Sequence, residues 1–294
     1  MITASAVELR VGARVLLTPT TFRIGPGDRV GLVGRNGAGK MTLTKALAGE
    51  TLPAGGLVAG SEDVGYLPQE TRTGDPQEIA MDRVLSARGL DYLRRAMAET
   101  EALMSSPDLD VMAKALDRYP KLEARFLAAG GYGAESEAHR IVANLGLDQR
   151  VLAQPIATLS GGQRRRVELA RVLFSGASVL LLDEPTNHLD ADSVLWLRDY
   201  LRSYPGGFIV ISHDVELLRE TVNKVFYLDA NRAVIDQYHL GWDAYLLQRE
   251  QDDKRRKRER ANAEKKAQAL LAQAEKMRAK ATKAVAAQQM IKRA

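Results

Sequence analysis

The segment Gly34-Arg35-Asn36-Gly37-Ala38-Gly39-Lys40 sets three glycines and a lysine at a spacing suited to holding phosphate. Glycines without side chains let backbone N–H groups curl around an anion at a helix N-terminus, and a lysine closing the loop reaches the outer phosphates of a nucleotide. Gly34, Asn36, Gly37, Ala38, Gly39 and Lys40 are therefore candidate binding residues. The next position, where a Ser or Thr hydroxyl would hold Mg²⁺, is Met41. Thr42 follows, but about 100° further round a helix. It is read either as a phosphate contact or as an ordinary residue of a helix's first turn.

A second group of residues can do chemistry with the first. The apolar run Val179-Leu180-Leu181-Leu182 ends in Asp183-Glu184. At the carboxyl end of a buried strand beside a phosphate loop, Asp183 suits a Mg²⁺ ligand and Glu184 suits a base that orients or deprotonates water. Alone, such a pair is usually just a solvated turn. The segment Leu159-Ser160-Gly161-Gly162-Gln163 opens a helix with a hydroxyl, free backbone donors and the positive end of a dipole. Ser160, Gly162 and Gln163 thus form a candidate second anion site. The phosphate loop, this segment and the acidic pair, in that order, are specific together where each alone is weak.

These groups need elements to position them. Short β-branched runs predict strands at 6–11, 14–17, 29–33 and 64–67, with Gly25-Pro26-Gly27 as a turn. The loop at 34–40 lies between a strand and the helical segment 42–48. Apolar residues three and four apart over 84–104 and 111–127 predict helices, broken by Gly130-Gly131-Tyr132-Gly133 and resumed over 135–145. Helix and strand then alternate, with a helix at 162–174, a strand at 178–182, a helix at 191–201 and a strand at 207–211, which argues for a largely parallel sheet. The fold class is α/β, of the P-loop NTPase kind, over residues 1–245, with a helical insertion at about 75–150. From 242 onward there is no Gly or Pro. Leu270, Met277, Ala284 and Ile291 repeat every seven residues there, so 246–294 is expected as a long helix or helical hairpin.

The 294 residues are 45% hydrophobic and include no cysteine, which suits a packed core in a reducing cytoplasm and excludes disulfide and thiolate chemistry. The apolar runs are far short of the roughly 20 residues a membrane-spanning helix needs, so no membrane insertion is expected. The net charge of +5 is uneven, since residues 249–294 hold 15 basic and 6 acidic side chains. Such a tail suits a phosphate-rich partner or is simply a solvated face.

Taken together, residues 1–245 resemble the ATP-binding cassette (ABC) superfamily. The resemblance implies ATP and Mg²⁺ as cofactors, and ATP hydrolysis. It makes Gln69, in Tyr66-Leu67-Pro68-Gln69, the glutamine that senses metal and water, Asp190 the acid of the following loop, and His213 the histidine at the γ-phosphate. The aromatic that stacks on adenine in many relatives falls near Val11, which implies loose base selectivity. Asp183-Glu184-Pro185-Thr186-Asn187-His188-Leu189-Asp190 and the Arg-Ala-Lys-Ala-Thr-Lys-Ala run at 278–284 look like the ABC-F proteins. Those carry two cassettes and a basic linker and act on ribosomes as translation factors or in antibiotic resistance. In that family Ser160 would serve a nucleotide held by a second cassette, so this chain is expected to be an amino-terminal half or to pair with itself, with rRNA and tRNA as partners. The alternatives are the energising subunit of a membrane transporter, and a binding module that closes on ATP but hydrolyses poorly because of Met41.

Overall fold

Two sheets and a set of helices follow one another along the chain, seen in a computed structural model that describes residues 1–69 and 75–291, with Ser61 and residues 270–291 described by backbone alone. In order they are β1 (Ile2–Val11), β2 (Arg14–Ile24), β3 (Arg29–Gly34), α1 (Lys40–Leu47), β4 (Gly55–Ala59), β5 (Val64–Leu67), α2 (Ala80–Leu85), α3 (Leu90–Leu103), α4 (Leu109–Ala128), α5 (Gly131–Asn144), α6 (Gln149–Leu152) and α7 (Gly161–Phe174). They continue as β6 (Val179–Asp183), α8 (Ala191–Ser203), β7 (Gly207–Ile211), α9 (Val215–Thr221), β8 (Lys224–Asp229), β9 (Val234–Tyr238) and α10 (Trp242–Ile291). The chain divides into two units, Met1–Trp242 and Asp243–Ala294.

The first unit is built on a six-stranded sheet in the order β5-β6-β7-β3-β8-β9. All its pairings are parallel except β8 with β9. β6 and β7 are buried throughout, which is why they read as unbroken apolar runs instead of alternating ones. Their side chains still divide between faces with period two. Val179, Leu181, Ile209 and Ile211 join one core with Ile2, Leu17, Val30, Leu32, Leu43 and Phe226, which ties the sheet to α1 and to a second sheet. That second sheet is antiparallel, in the order β2-β1-β4.

The strands expected at 6–11 and 14–17 are the meeting ends of a longer hairpin, and β4 was not expected at all. The run expected to break at Gly130-Gly131-Tyr132-Gly133 does so only at Gly130, which takes a left-handed φ of 101° ahead of the helix. Helix α5 then begins at Gly131, not at Glu135, so the glycines form its first turn. Between β5 and β6, α3 packs on α4, while α2 and α5 pack against α7.

In the second unit the backbone of α10 runs as one helix through Trp242–Ile291 instead of a hairpin. Ion pairs one turn apart line its first half, among them Glu250 with Lys254 and Arg260 with Glu264. The side chains of the seven-residue repeat from Leu270 and of the 278–284 run, and residues 292–294, lie outside the described residues. No described helix is long and apolar enough to cross a membrane.

Candidate functional site

Parallel strands end on one side of a sheet, and ligands bind beyond their carboxyl ends. Here that rule brings the chemistry together. Gln69 lies just past β5, Glu184 directly after β6, His213 just past β7, and Lys40 opens α1 after the loop that leaves β3. The pairing of Leu67 with Leu182 and of Asp183 with Ile211 sets these ends level. They line one open cleft of about 570 Å³, bounded also by Asn36, Gly37, Gly39, Met41, Thr42, Asp183 and Asn187.

The phosphate loop is shaped by its glycines. Gly37 and Gly39 adopt φ of 73° and 104°, open to residues without a Cβ. Gly34 is needed for a different reason, since a Cβ there would lie 2.7 Å from the carbonyl oxygen of Leu228 on β8. Lys40 Nζ donates to the carbonyls of Gly34 at 2.8 Å and Arg35 at 3.2 Å. Burial pushes the ammonium's pKa down, and the charges of Asp183 and Glu184 push it back up.

Burial raises the pKa of Asp183, and the neighbouring Glu184 raises it further, against the pull of Arg165 and Lys40. A cation placed beside it would relieve both causes. Glu184 is a non-glycine residue at φ 48°, a strained position that needs surrounding support. Its amide donates to Ile211 at 2.8 Å, and its carboxylate accepts from the amide of His213 at 3.2 Å. The His213 side chain is 85% exposed, with its Nε2 3.4 Å from the other carboxylate oxygen of Glu184.

Mg²⁺ binds hard oxygen donors and commonly uses one or two carboxylates with phosphate oxygens and water. Asp183 and the amide oxygen of Gln69 are donors of that type in the cleft, whereas the Met41 thioether is not. Among the described residues no three His, Cys, Asp or Glu side chains cluster as a metal site. The donors fit an ion brought with a phosphate ligand, not one caged by protein. Thr42 also lines the cleft, beside Met41.

Ser160, Gly162 and Gln163 lie outside this cleft. Ser160 caps α7: its Oγ accepts from the amide of Gln163 at 3.2 Å, and the Gln163 side chain accepts from the amide of Ser160 at 2.9 Å. Gly162 faces His188, whose Cβ would be 3.5 Å from a Cβ at that glycine. Asp190 caps α8, accepting from the amide of Ser193 at 2.8 Å, and these hydrogen bonds hold its carboxyl below the usual range.

Three cleft residues had no sequence signal of their own: Arg14, Leu16 and Ile211. The β1–β2 hairpin delivers Val11, Arg14 and Leu16, where Val11 pairs with Arg14 at its tip. Arg165 was also missed. It is a buried guanidinium of α7 that donates to the main-chain oxygens of Pro68, Gln69, Asp183 and Glu184.

Two family models described as "ABC transporter" match, one over residues 17–187 and one over residues 228–294. The probable ATP-binding protein YheS of Escherichia coli K12 is 34% identical over 294 residues, covering 99% of this chain and 44% of that one. The tylosin resistance ATP-binding protein TlrC of Streptomyces fradiae is 34% identical over 257 residues, covering 86% of this chain and 46% of that one. The chain thus spans less than half the length of these relatives. A solved dimeric structure of MJ0796, a bacterial ABC transporter cassette, is similar in fold, with a TM-score of 0.56 and 18% identity over 82% of this chain and all of that one. The α/β cassette fold implied by the motifs is the fold observed.

Proposed function

The chain belongs to the ABC transporter family of ATP-binding cassettes, and from that premise we propose that it binds and hydrolyses ATP with Mg²⁺ as a cytoplasmic cassette of the ABC-F type, its closure changing its hold on the ribosome. The observation that carries the enzymatic part is the meeting of Lys40, Asp183, Glu184, Gln69 and His213 on one cleft. In this reading residues 34–40 cradle the phosphates, with Lys40 as the cation at the outer ones. Asp183 and Gln69 would hold Mg²⁺, which when bound would supply positive charge at the phosphate oxygens. Glu184 orients or deprotonates the attacking water. His213 donates to the γ-phosphate.

Ser160, Gly162 and Gln163, set outside the cleft at the exposed start of α7, serve a nucleotide held by a second cassette. The dimeric state of the similarly folded MJ0796 cassette and the roughly twofold greater length of the matched relatives support that arrangement. For the ribosome, support comes from Asn187-His188-Leu189-Asp190, from the basic helix α10, and from the relative named for tylosin resistance. Met41 favours a second reading, in which the cassette closes on ATP and hydrolyses slowly.

The test is co-sedimentation of the chain with purified ribosomes, with and without ATP, using Glu184→Gln to slow turnover. ATP-dependent pelleting at physiological salt supports the ribosome reading. No pelleting, either by this chain or by a two-cassette chain that contains it, counts against it and returns the transporter-subunit reading.

A further inference from the structure

Three arginines in succession, Arg164, Arg165 and Arg166, follow the Ser160 cap, and each side chain goes a different way. Arg164 donates to the carbonyl of Leu159 at 3.0 Å, and Arg166 to those of Leu145 at 3.3 Å and Gly146 at 2.9 Å. Arg165 turns inward and is 6% exposed. Its Nη1 donates to the main-chain oxygens of Pro68 and, at 3.1 Å, Gln69, while its Nη2 donates to those of Asp183 and, at 3.5 Å, Glu184. One rigid fork thus spans the strand ends of β5 and β6 from a third element, α7.

We propose that Arg165 is a positioning residue that ties the main chain at Gln69 and at Asp183-Glu184 to α7, so that a ligand gripped by Gln69 and Glu184 is felt at the exposed Ser160 end of that helix. The inference rests on the nucleotide reading of the cleft. Its physical basis is a run of hydrogen bonds ending on a stiff helix. From Arg165 to Gly162 is less than one turn, about 4.5 Å along the axis, so a shift of the Gln69 main chain that keeps its bond to Nη1 moves the first turn of α7 as well. A lysine carries the charge but presents its donors from a single atom and cannot bridge both strand ends as a planar guanidinium does. A glutamine has neither the charge nor the reach.

Hydrogen exchange followed by mass spectrometry on the full chain, with and without ATP and Mg²⁺, tests this, beside binding of a fluorescent ATP analogue. The variants are Arg165→Gln and Arg165→Lys; if the first does not fold, the second carries the test. In the unsubstituted chain nucleotide should slow exchange in peptides covering 34–42 and in peptides covering 160–168. In folded variants that still bind the analogue, the slowing at 34–42 should persist while that at 160–168 is lost. A residue that merely adds stability would lower the melting temperature and leave both responses in place. That outcome, or a response at 34–42 with none at 160–168 in the unsubstituted chain, overturns the proposal. No response at 34–42 and no binding would overturn the nucleotide reading, and this inference with it.

Discussion

Glu184 and His213 hold one another across the ends of two neighbouring strands: one carboxylate oxygen accepts the amide of His213 at 3.2 Å, and the other lies 3.4 Å from its imidazole Nε2. A single side chain therefore serves both the local backbone and the chemistry proposed for the cleft. The two roles separate by substitution. Glu184→Gln keeps an acceptor for the His213 amide and should fold with unchanged stability, bind ATP within about threefold, and lose about 10²- to 10⁴-fold in turnover. Glu184→Ala should also lose stability, by about 0.5–1.5 kcal/mol, because the part-buried amide of His213 then lacks its acceptor. Phosphate release and urea titration measure the two effects. His213→Ala, at an exposed side chain, should leave the urea midpoint alone while slowing release.

Met41 faces the cleft where a hydroxyl would serve a metal. Met41→Ser should lower the Mg²⁺ concentration needed for half-maximal ATP turnover by about tenfold, equivalent to one added oxygen contact worth ~1.4 kcal/mol. Turnover is measured across a Mg²⁺ series at saturating ATP. An unmoved midpoint would sink the idea that Met41 limits the metal site.

Two loop glycines should fail for different reasons. Gly34→Ala puts a Cβ 2.7 Å from the carbonyl of Leu228, in a part of the sheet that cannot give way cheaply. A loss of about 2–3 kcal/mol is expected. Gly37→Ala meets nothing within 4 Å and should cost only the left-handed backbone, about 1 kcal/mol. Denaturant melts of the two variants rank them, and the reverse order would refute the steric argument.

Tyr200 donates its hydroxyl to the carbonyl of Leu173 at 2.9 Å, and burial pushes its pKa up to about 12. A free tyrosine titrates near 10, so the unfolded chain releases this proton before the folded one does. The stability it contributes is whole below about pH 10 and is lost as pH rises from there through about 12. Melting temperature against pH should fall in that window, and less steeply in Tyr200→Phe. Absorbance at 295 nm should show a late-titrating tyrosine that the variant lacks.

Most of the cleft was legible because its residues stand at the ends of elements that announce themselves. A glycine loop before a helix, an apolar strand ending in acids and a Ser-Gly-Gly opening a helix carry their own punctuation. What escaped notice depends on tertiary pairing. β4 holds two adjacent glycines, Gly55 and Gly56, and is a strand because β1 offers it a partner, which no local propensity expresses. Arg165 stands between two further arginines, and nothing in their spacing singles out the middle one. A helix turns each of them by about 100° from the last, and only the packing of α7 shows that the middle one points inward. Val11, Arg14 and Leu16 reach the cleft from a different sheet, by a hairpin whose length the sequence pattern understated.

The strand order has a mechanical consequence. β3, β6 and β7 are flanked by strands on both sides, whereas β5, which leads to Gln69, is the sheet's edge. An interior strand cannot slide without breaking two ladders at once, but an edge strand need break only one. The cleft therefore has a stiff wall, carrying Lys40, Asp183, Glu184 and His213, and a compliant one carrying Gln69. Closure about a ligand should be a movement of the compliant wall toward the stiff one, with Arg165 as the brace that limits its travel.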